Sequence, residues 1–265
     1  MKLSISNIGW ADKDDEAMYE YVHCLGFKGI EIAPTRIFPE SPYENLKGAK
    51  AWADALWQDY HLKVSSVQSI WYGRAEKIFG SESEREVLLT YTQKAIDFAE
   101  AVSCHNVVFG CPKNRVMNSK ADWNIGVNFF RKLAAYAEKH AISIGMEANP
   151  AIYGTNYINT TREALALIAE VDMRGFRLNL DLGTMIQNGE SPNVLCGNVK
   201  YISHVHVSEP FLKPVEKRKL HKQIADILLD ENYQGFTSIE MGKVDDLSVL
   251  HNVMAYVKEV FGTDD

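Results

Sequence analysis

Cysteine is scarce in this chain, and its spacing argues against several kinds of site. Four cysteines lie far apart among 265 residues, and no two of them form a CxxC pair. Zinc ribbons and redox-active dithiols depend on closely spaced pairs, and disulfide-stapled domains need a much higher density of cysteine. We therefore expect reduced thiols at Cys24, Cys104, Cys111 and Cys196.

Long apolar runs and an excess of basic charge are also missing. No segment approaches the roughly 18 consecutive apolar residues of a membrane span, and the first residues alternate like a strand, without the apolar core of a signal peptide. Lys and Arg number 28 against 35 Asp and Glu, a net charge of −7, whereas duplex-binding surfaces are rich in cations that contact phosphate. We expect a cytoplasmic protein that acts neither on nucleic acid nor at a membrane. The sequence leaves open whether the chain forms a homo-oligomer.

A glycine-rich phosphate loop is the third absence, and it bears on the fold. Eight β-rich segments alternate with segments at helical spacing, which favours a parallel sheet because parallel neighbours need a crossover. An open doubly wound sheet normally carries GxGxxG after its first strand, but that position reads Asn7-Ile8-Gly9-Trp10-Ala11-Asp12. Eight repeats in about 250 residues are typical of a closed barrel. We predict an α/β protein with a single (β/α)8 TIM barrel domain over residues 1–265.

The predicted strands are Leu3–Ile8, Gly29–Ala33, Lys63–Ser69, Asn106–Gly110, Ile142–Glu147, Arg177–Asp181, Ile202–Val207 and Thr237–Met241. Two predicted helices begin with a capping box, in which a Ser or Thr and a Glu three residues later satisfy each other's free backbone donors. These boxes are Ser83–Glu86 and Thr160–Glu163.

Four of the later strands each carry, at or near their end, a side chain that can bind a metal ion. Glu147, Asp181, His206 and Glu240 follow one another at separations of 34, 25 and 34 residues, about one strand–helix–strand unit each. Barrels gather functional groups where strands end, so these side chains should converge. A buried carboxylate is costly unless it is paired or binds a metal, and no Lys or Arg stands beside these residues on their strands. We predict a divalent-metal site.

The donor set indicates the cation and its chemistry. Three carboxylates and one imidazole suit Mn²⁺ or Mg²⁺ and tolerate Co²⁺ or Zn²⁺. His204 shares a strand face with His206 but lies a layer deeper, so His206 is the better ligand. A divalent ion makes the C–H beside a substrate carbonyl more acidic, and Glu147 and Glu240 can then remove and return a proton. The pattern predicts isomerisation or epimerisation of a hydroxy-ketone through an enediolate.

These residues resemble the xylose isomerase-like barrel superfamily, which contains sugar-phosphate isomerases and epimerases, ketohexose 3-epimerases, inosose dehydratase and the endonuclease IV branch. The resemblance implies that Glu147, Asp181, His206 and Glu240 are metal ligands and that the two glutamates form the acid–base pair. The matching segments are Gly29–Ile32, Val67-Gln68, Gly145–Glu147, Leu180–Gly183, His204–His206 and Tyr233–Glu240.

Three positions depart from the ketohexose epimerase pattern. Where those enzymes place Glu, His and Arg, this chain has Tyr153, Thr184 and Leu212. We therefore expect a small sugar, sugar phosphate or related polyol rather than a free ketohexose as substrate. The alternatives are a dehydratase of the inosose type and a carbohydrate-binding barrel that keeps the metal without turnover. The endonuclease branch needs further histidines, which strands two and three lack.

Six further residues near strand ends are predicted to bind substrate. Tryptophans that follow strands one and three can stack on a sugar ring, and a lysine after strand four can hold a phosphate or carboxylate. Ordinary loop packing and a solvated loop are the respective alternatives. A glutamate that ends strand two can orient a hydroxyl or form an ion pair. The six are Trp10, Glu31, Gln68, Trp71, Lys113 and Glu209.

Overall fold

Eight parallel strands form the wall of a closed barrel. A computed structural model describes residues 1–262 of the chain. The strands follow one another around the barrel in chain order, and the first is hydrogen-bonded to both the second and the eighth. The predicted (β/α)8 barrel is confirmed. The predicted end of the domain, residue 265, lies outside the described residues.

Each predicted strand is present, with its ends within two residues of the prediction. The strands are β1 (Lys2–Ser6), β2 (Gly29–Ile32), β3 (Lys63–Val67), β4 (Asn106–Phe109), β5 (Ser143–Glu147), β6 (Phe176–Asp181), β7 (Ile202–Ser208) and β8 (Phe236–Glu240). The helices are α1 (Asp15–Cys24), α2 (Pro34–Ile37), α3 (Leu46–Tyr60), α4 (Glu82–Ala101), α5 (Trp123–Lys139), α6 (Thr161–Val171), α7 (Leu182–Asn188), α8 (Lys219–Asp230) and α9 (Leu247–Phe261). None of these helices combines the length and apolar character needed to cross a membrane.

Two helix starts test the capping prediction. At α6 the Thr160 side chain accepts the Glu163 N–H and the box is confirmed. At α4 the box is formed by Ser81 and Glu84, so the prediction of Ser83–Glu86 was wrong by two residues. The sequence there holds two overlapping Ser-x-x-Glu motifs, and spacing alone does not separate them.

Apolar and polar residues alternate along β1, so the two kinds of side chain lie on opposite sides of the strand. Leu3 and Ile5 belong to the apolar core, whereas Ser4 and Ser6 are buried polar residues. Ser65 on β3 donates a hydrogen bond to Ser4 at 2.9 Å. Since β2 lies between these strands, the bond runs inside the barrel. The barrel interior therefore holds hydrogen-bonded polar groups, while the apolar core lies between strands and helices.

Candidate metal centre

Four side chains from β5, β6, β7 and β8 meet at the mouth of the barrel. Glu147, Asp181, His206 and Glu240 each offer one ligand atom, and these atoms all lie within 4.8 Å of one another. The His206 side chain is fully buried, whereas those of Glu147 and Glu240 are 12% and 13% exposed. The structure therefore brings together the four residues that the sequence predicted as ligands.

Strand register explains how they meet. Asp181 on β6 is paired with His206 on β7, and Ser208 on β7 is paired with Glu240 on β8. His206 and Ser208 lie two residues apart and so share a strand face. Glu240 therefore lies one layer nearer the opening than His206.

The ring of His206 connects the mouth to the barrel interior. Its Nδ1 lies 3.0 Å from Glu147 Oε1 and 3.2 Å from Glu240 Oε2. Its Nε2 lies 2.8 Å from Glu31 Oε2. Burial disfavours the charged ring, but the carboxylates of Glu240 and Glu31 raise the pKa of His206 well above its usual value. The surrounding carboxylates therefore favour the protonated form of this ring.

The three mouth carboxylates differ in their affinity for protons. Burial raises the pKa of Glu240 to about 7. Burial, with the charge of Glu147 added, raises the pKa of Asp181 to about 6. Burial also acts to raise the pKa of Glu147, but the hydrogen bond and charge of His206 outweigh it and lower that pKa below its usual value. Environments that push the pKa values of two carboxyl groups apart are typical of acid–base pairs.

Two side chains that the sequence analysis missed orient the carboxylates. Asn179 Nδ2 donates to Glu147 Oε1 at 3.0 Å, and the Ser208 hydroxyl donates to Asp181. Strand parity was the signal that could have found them. Asn179 precedes Asp181 by two residues and Ser208 follows His206 by two, so each shares a face with a predicted ligand.

A buried arginine contacts the backbone of Glu147 and the asparagine that binds its carboxylate. Arg115, in the loop after β4, has no exposed surface. Its Nη2 donates to the Glu147 carbonyl oxygen at 2.8 Å and to Asn149 Oδ1 at 2.6 Å. Asn149 Nδ2 donates in turn to Glu147 Oε2 at 2.9 Å. Burial lowers the pKa of Arg115 to about 10, which leaves it cationic at neutral pH.

Two positions that depart from the ketohexose epimerase pattern have structural contacts here. The Thr184 hydroxyl donates to the Ala148 carbonyl oxygen at 2.7 Å, and its N–H donates to Asp181 at the start of α7. The Tyr153 hydroxyl accepts the N–H of Phe211 at 2.8 Å, and the two rings meet edge-on. Burial, with the charges of Asp181 and the two mouth glutamates added, raises the pKa of Tyr153.

The third position lies in a strained turn. Phe211 and Leu212 have φ angles of 62° and 53°, a region that residues other than glycine seldom adopt. The Leu212 carbonyl oxygen accepts the Gly242 N–H at 2.8 Å, which fixes the turn. Both side chains are exposed, Phe211 by 61%. At this third position an apolar side chain thus stands where ketohexose epimerases have an arginine.

The two tryptophans predicted to stack on a sugar are buried. Trp10 Nε1 donates to Asp15 Oδ1 at 2.8 Å. Trp71 Nε1 donates to Thr92 Oγ1 at 2.8 Å, and its ring meets that of Phe109 edge-on. These contacts support the packing alternative, and sugar binding by the two residues stays a prediction.

Lys113 and Glu209 lie in the loops after two different strands, β4 and β7. Lys113 is exposed in the loop after β4. Glu209 is buried, and its Oε1 and Oε2 lie 2.6 and 2.7 Å from Nε and Nη2 of Arg218. This ion pair closes the loop between β7 and α8. Substrate binding by Lys113 and Glu209 stays a prediction.

The remaining two predicted substrate residues lie beneath the mouth. Gln68 Nε2 donates to Glu31 Oε1 at 3.1 Å and to Ser6 Oγ at 2.7 Å. Glu31 has no exposed surface and Gln68 very little. Both are connected to the four-residue cluster through His206, and direct contact with substrate stays a prediction.

Comparison with known proteins agrees with this architecture. A family model described as xylose isomerase-like TIM barrel matches residues 19–259. The chain belongs to this family. Among curated proteins, none matches the sequence significantly.

Several solved structures share the fold over almost the whole chain. The 3-keto-D-glucoside 4-epimerase YcjR from E. coli is 18% identical with a TM-score of 0.78, over 98% of this chain and 99% of that one. The D-psicose 3-epimerase from Clostridium cellulolyticum H10 is 18% identical with a TM-score of 0.79, over 99% and 100%. The probable 3-DHS dehydratase AsbF from Bacillus anthracis is 16% identical with a TM-score of 0.71, over 100% of both chains. At such identities the likeness establishes the fold.

Proposed function

We propose that this protein is a divalent-metal-dependent isomerase or epimerase of a small sugar, sugar phosphate or related polyol. The convergence of Glu147, Asp181, His206 and Glu240 at the barrel mouth carries the proposal. Membership of the xylose isomerase-like family, and the likeness in fold to two sugar epimerases, support it.

The donor atoms fit a hard divalent cation. In the described residues, Glu147 and Glu240 form their ion pairs with His206 and not with Lys or Arg, so their buried charge is well matched to a metal ion. The four residues would hold Mn²⁺ or Mg²⁺ by preference and would accept Co²⁺ or Zn²⁺. A bound cation would polarise a substrate carbonyl and make the adjacent C–H more acidic.

The two glutamates have different tasks in this proposal. Glu147, ionised and held by Asn149 and Asn179, removes the proton beside the carbonyl and leaves an enediolate. Glu240, which lies on β8 one layer nearer the opening than His206, delivers a proton. Delivery to the neighbouring carbon isomerises the substrate, whereas delivery to the opposite face of the same carbon epimerises it.

Deuterium incorporation tests the proposal. The purified protein, supplied with Mn²⁺ in D₂O, is incubated with a panel of ketoses, ketose phosphates and keto-glycosides, and the products are analysed by NMR. We expect one substrate to gain deuterium at a single carbon. Glu147→Gln and Glu240→Gln should each slow this exchange by about 10²-fold or more. Glu86→Gln, an exposed change on α4, is the matched control and should leave it unchanged. Full exchange in both glutamine variants would contradict the assignment.

A dehydratase is the second candidate, favoured by the likeness to AsbF and by the changed positions Tyr153, Thr184 and Leu212. The same enediolate can expel a β-hydroxyl group. Mass spectrometry separates the two, because isomerisation conserves mass and dehydration loses one water. A barrel that binds a carbohydrate without turnover would give neither product nor deuterium.

A further inference from the structure

A buried carboxylate lies directly behind the proposed ligands. Glu31, on β2, has no exposed surface. Its Oε2 lies 2.8 Å from His206 Nε2 and 3.0 Å from His204 Nε2, and its Oε1 accepts a hydrogen bond from Gln68. Between residues 1 and 262 its close contacts with basic side chains are with these two histidines, not with Lys or Arg. Since burying an unpaired carboxylate is costly, Glu31 needs a partner among them.

Only one of the two histidines is aligned with Glu31. His206 Nε2 forms a hydrogen bond with Oε2. His204 Nε2 lies nearly as close but is not directed for a hydrogen bond, and the two rings are perpendicular. Of the two rings, the carboxylate therefore forms its hydrogen bond with His206.

The two nitrogens of His206 face different surroundings. A neutral imidazole has one N–H and one free lone pair, and its neighbours decide which nitrogen carries the proton. Nδ1 faces Glu147 and Glu240 at the mouth, so a cation there needs the lone pair of Nδ1. An ionised acceptor at Nε2 keeps the proton on that side. The opposite tautomer would direct an N–H at the cation and a lone pair at a carboxylate.

We propose that Glu31, oriented by Gln68, is a positioning residue that fixes His206 as the Nε2–H tautomer and so prepares Nδ1 for the metal. The inference rests on the metal centre of the proposed function and not on the reaction. It also accounts for two buried residues, Glu31 and Gln68, that the sequence placed at the substrate.

A competing use of the same residues makes a different prediction. Glu31, His204 and His206 themselves offer ligand atoms within 4.8 Å of one another, which would suit a second cation. The two uses exclude each other, because a proton on His206 Nε2 leaves no lone pair there. One Mn²⁺ per chain supports the positioning role, and two would overturn it.

Calorimetric titration with Mn²⁺ measures the effect of Glu31. Glu31→Gln keeps the shape of the side chain and removes its charge. We expect Mn²⁺ affinity to fall by about 10–100-fold, as is typical when the partner of a metal-binding histidine is lost. His204→Gln is the matched control, because it alters the same buried layer without removing the aligned acceptor, and should change affinity by less than about threefold. Unchanged affinity in Glu31→Gln, or an equal loss in His204→Gln, would overturn the proposal.

A second measurement uses the wild-type protein, so it does not depend on whether a variant folds. In wild-type protein with ¹⁵N-labelled histidine and saturating Mg²⁺ or Zn²⁺, NMR should show that His206 carries a proton on Nε2 and none on Nδ1. The reverse assignment would overturn this inference alone. If the wild-type protein bound no divalent cation at all, the proposed function would fall with it.

Discussion

Single residues at the mouth set how the metal-free protein responds to pH. The folded pKa values of Asp181 (about 6), Glu240 (about 7) and His206 all lie above their ordinary values. Each therefore adds stability that is complete below its ordinary pKa and is lost as pH rises through the folded value. Glu147 and Glu31, with lowered pKa values, add stability that is already complete above about pH 5. The buried rings of His204 and of His221 on α8 have lowered pKa values and oppose this trend below about pH 6. We expect the metal-free protein to become less stable from about pH 6 to 8, as measured by urea unfolding; a rise over this interval would contradict these shifts.

The same protons oppose metal binding. Carboxylate and imidazole ligands must be deprotonated to bind a cation, so Mn²⁺ affinity should rise steadily between about pH 5.5 and 7.5. At least one proton should be released per ion. Calorimetry in buffers with different heats of ionisation measures that release directly, and a flat affinity without released protons would contradict the assignment of these ligands.

The sequence predicted the four residues that meet at the mouth better than it predicted the groups that support them, for a physical reason. Glu147, Asp181 and Glu240 each end an apolar strand, a local signal that needs no knowledge of packing. The contact between Glu31 and His206 joins residues 175 positions apart, and it depends on which groups face each other across a closed barrel. The burial of Arg115 depends on long-range packing in the same way.

Among the elements, the loop after β4 controls the space available to Glu147. A Cβ added at Gly110 would lie 2.7 Å from Glu147 Oε2. Gly110→Ala should therefore displace this carboxylate and weaken Mn²⁺ binding by roughly tenfold, comparable to losing a supporting contact. Calorimetry measures the affinity and circular dichroism checks the fold. If this variant kept the wild-type affinity, the loop backbone would have moved to make room for the methyl group and Glu147 would have stayed in place.

The loop between β7 and α8 depends on the pair formed by Arg218 and Glu209. Arg218→Met leaves the buried Glu209 without its cation, and we expect unfolding free energy to fall by about 1–3 kcal/mol, since Arg218 is partly exposed. Urea unfolding measures the change. Lys222→Met, which breaks the exposed pair with Asp226 on α8, is the control and should cost less than about 0.5 kcal/mol. Equal losses in both variants would refute a special role for Arg218.

Strands and helices were predictable as elements because period-two and helical spacing are local. The turn at Phe211 and Leu212 was not. Left-handed backbone is usually signalled by Gly or Asn, and this segment has neither. Its shape depends on contacts with Tyr153 and Gly242, which are distant in the sequence.

At the scale of the whole molecule, a metal ion would tie four strands together. A ligand that binds only the folded state stabilises it by about 2.7 kcal/mol at a hundredfold excess over Kd. We expect Mn²⁺ to raise the unfolding temperature of wild-type protein and of Glu86→Gln, and EDTA to reverse the change. Asp181→Ala should lose most of this response; an undiminished shift in that variant would place the stabilising ion elsewhere.

The proposed ligands and the residues that support them come from different halves of the chain, and this bears on how the chain folds. All four proposed ligands come from β5–β8, whereas Glu31 and Gln68, which support His206, come from β2 and the end of β3. A refolding chain can gather the ligands from its second half alone, but His206 gains its partner only when the first half docks. Tight cation uptake should therefore lag behind helix formation. Its time course would report the moment at which the ring of strands closes.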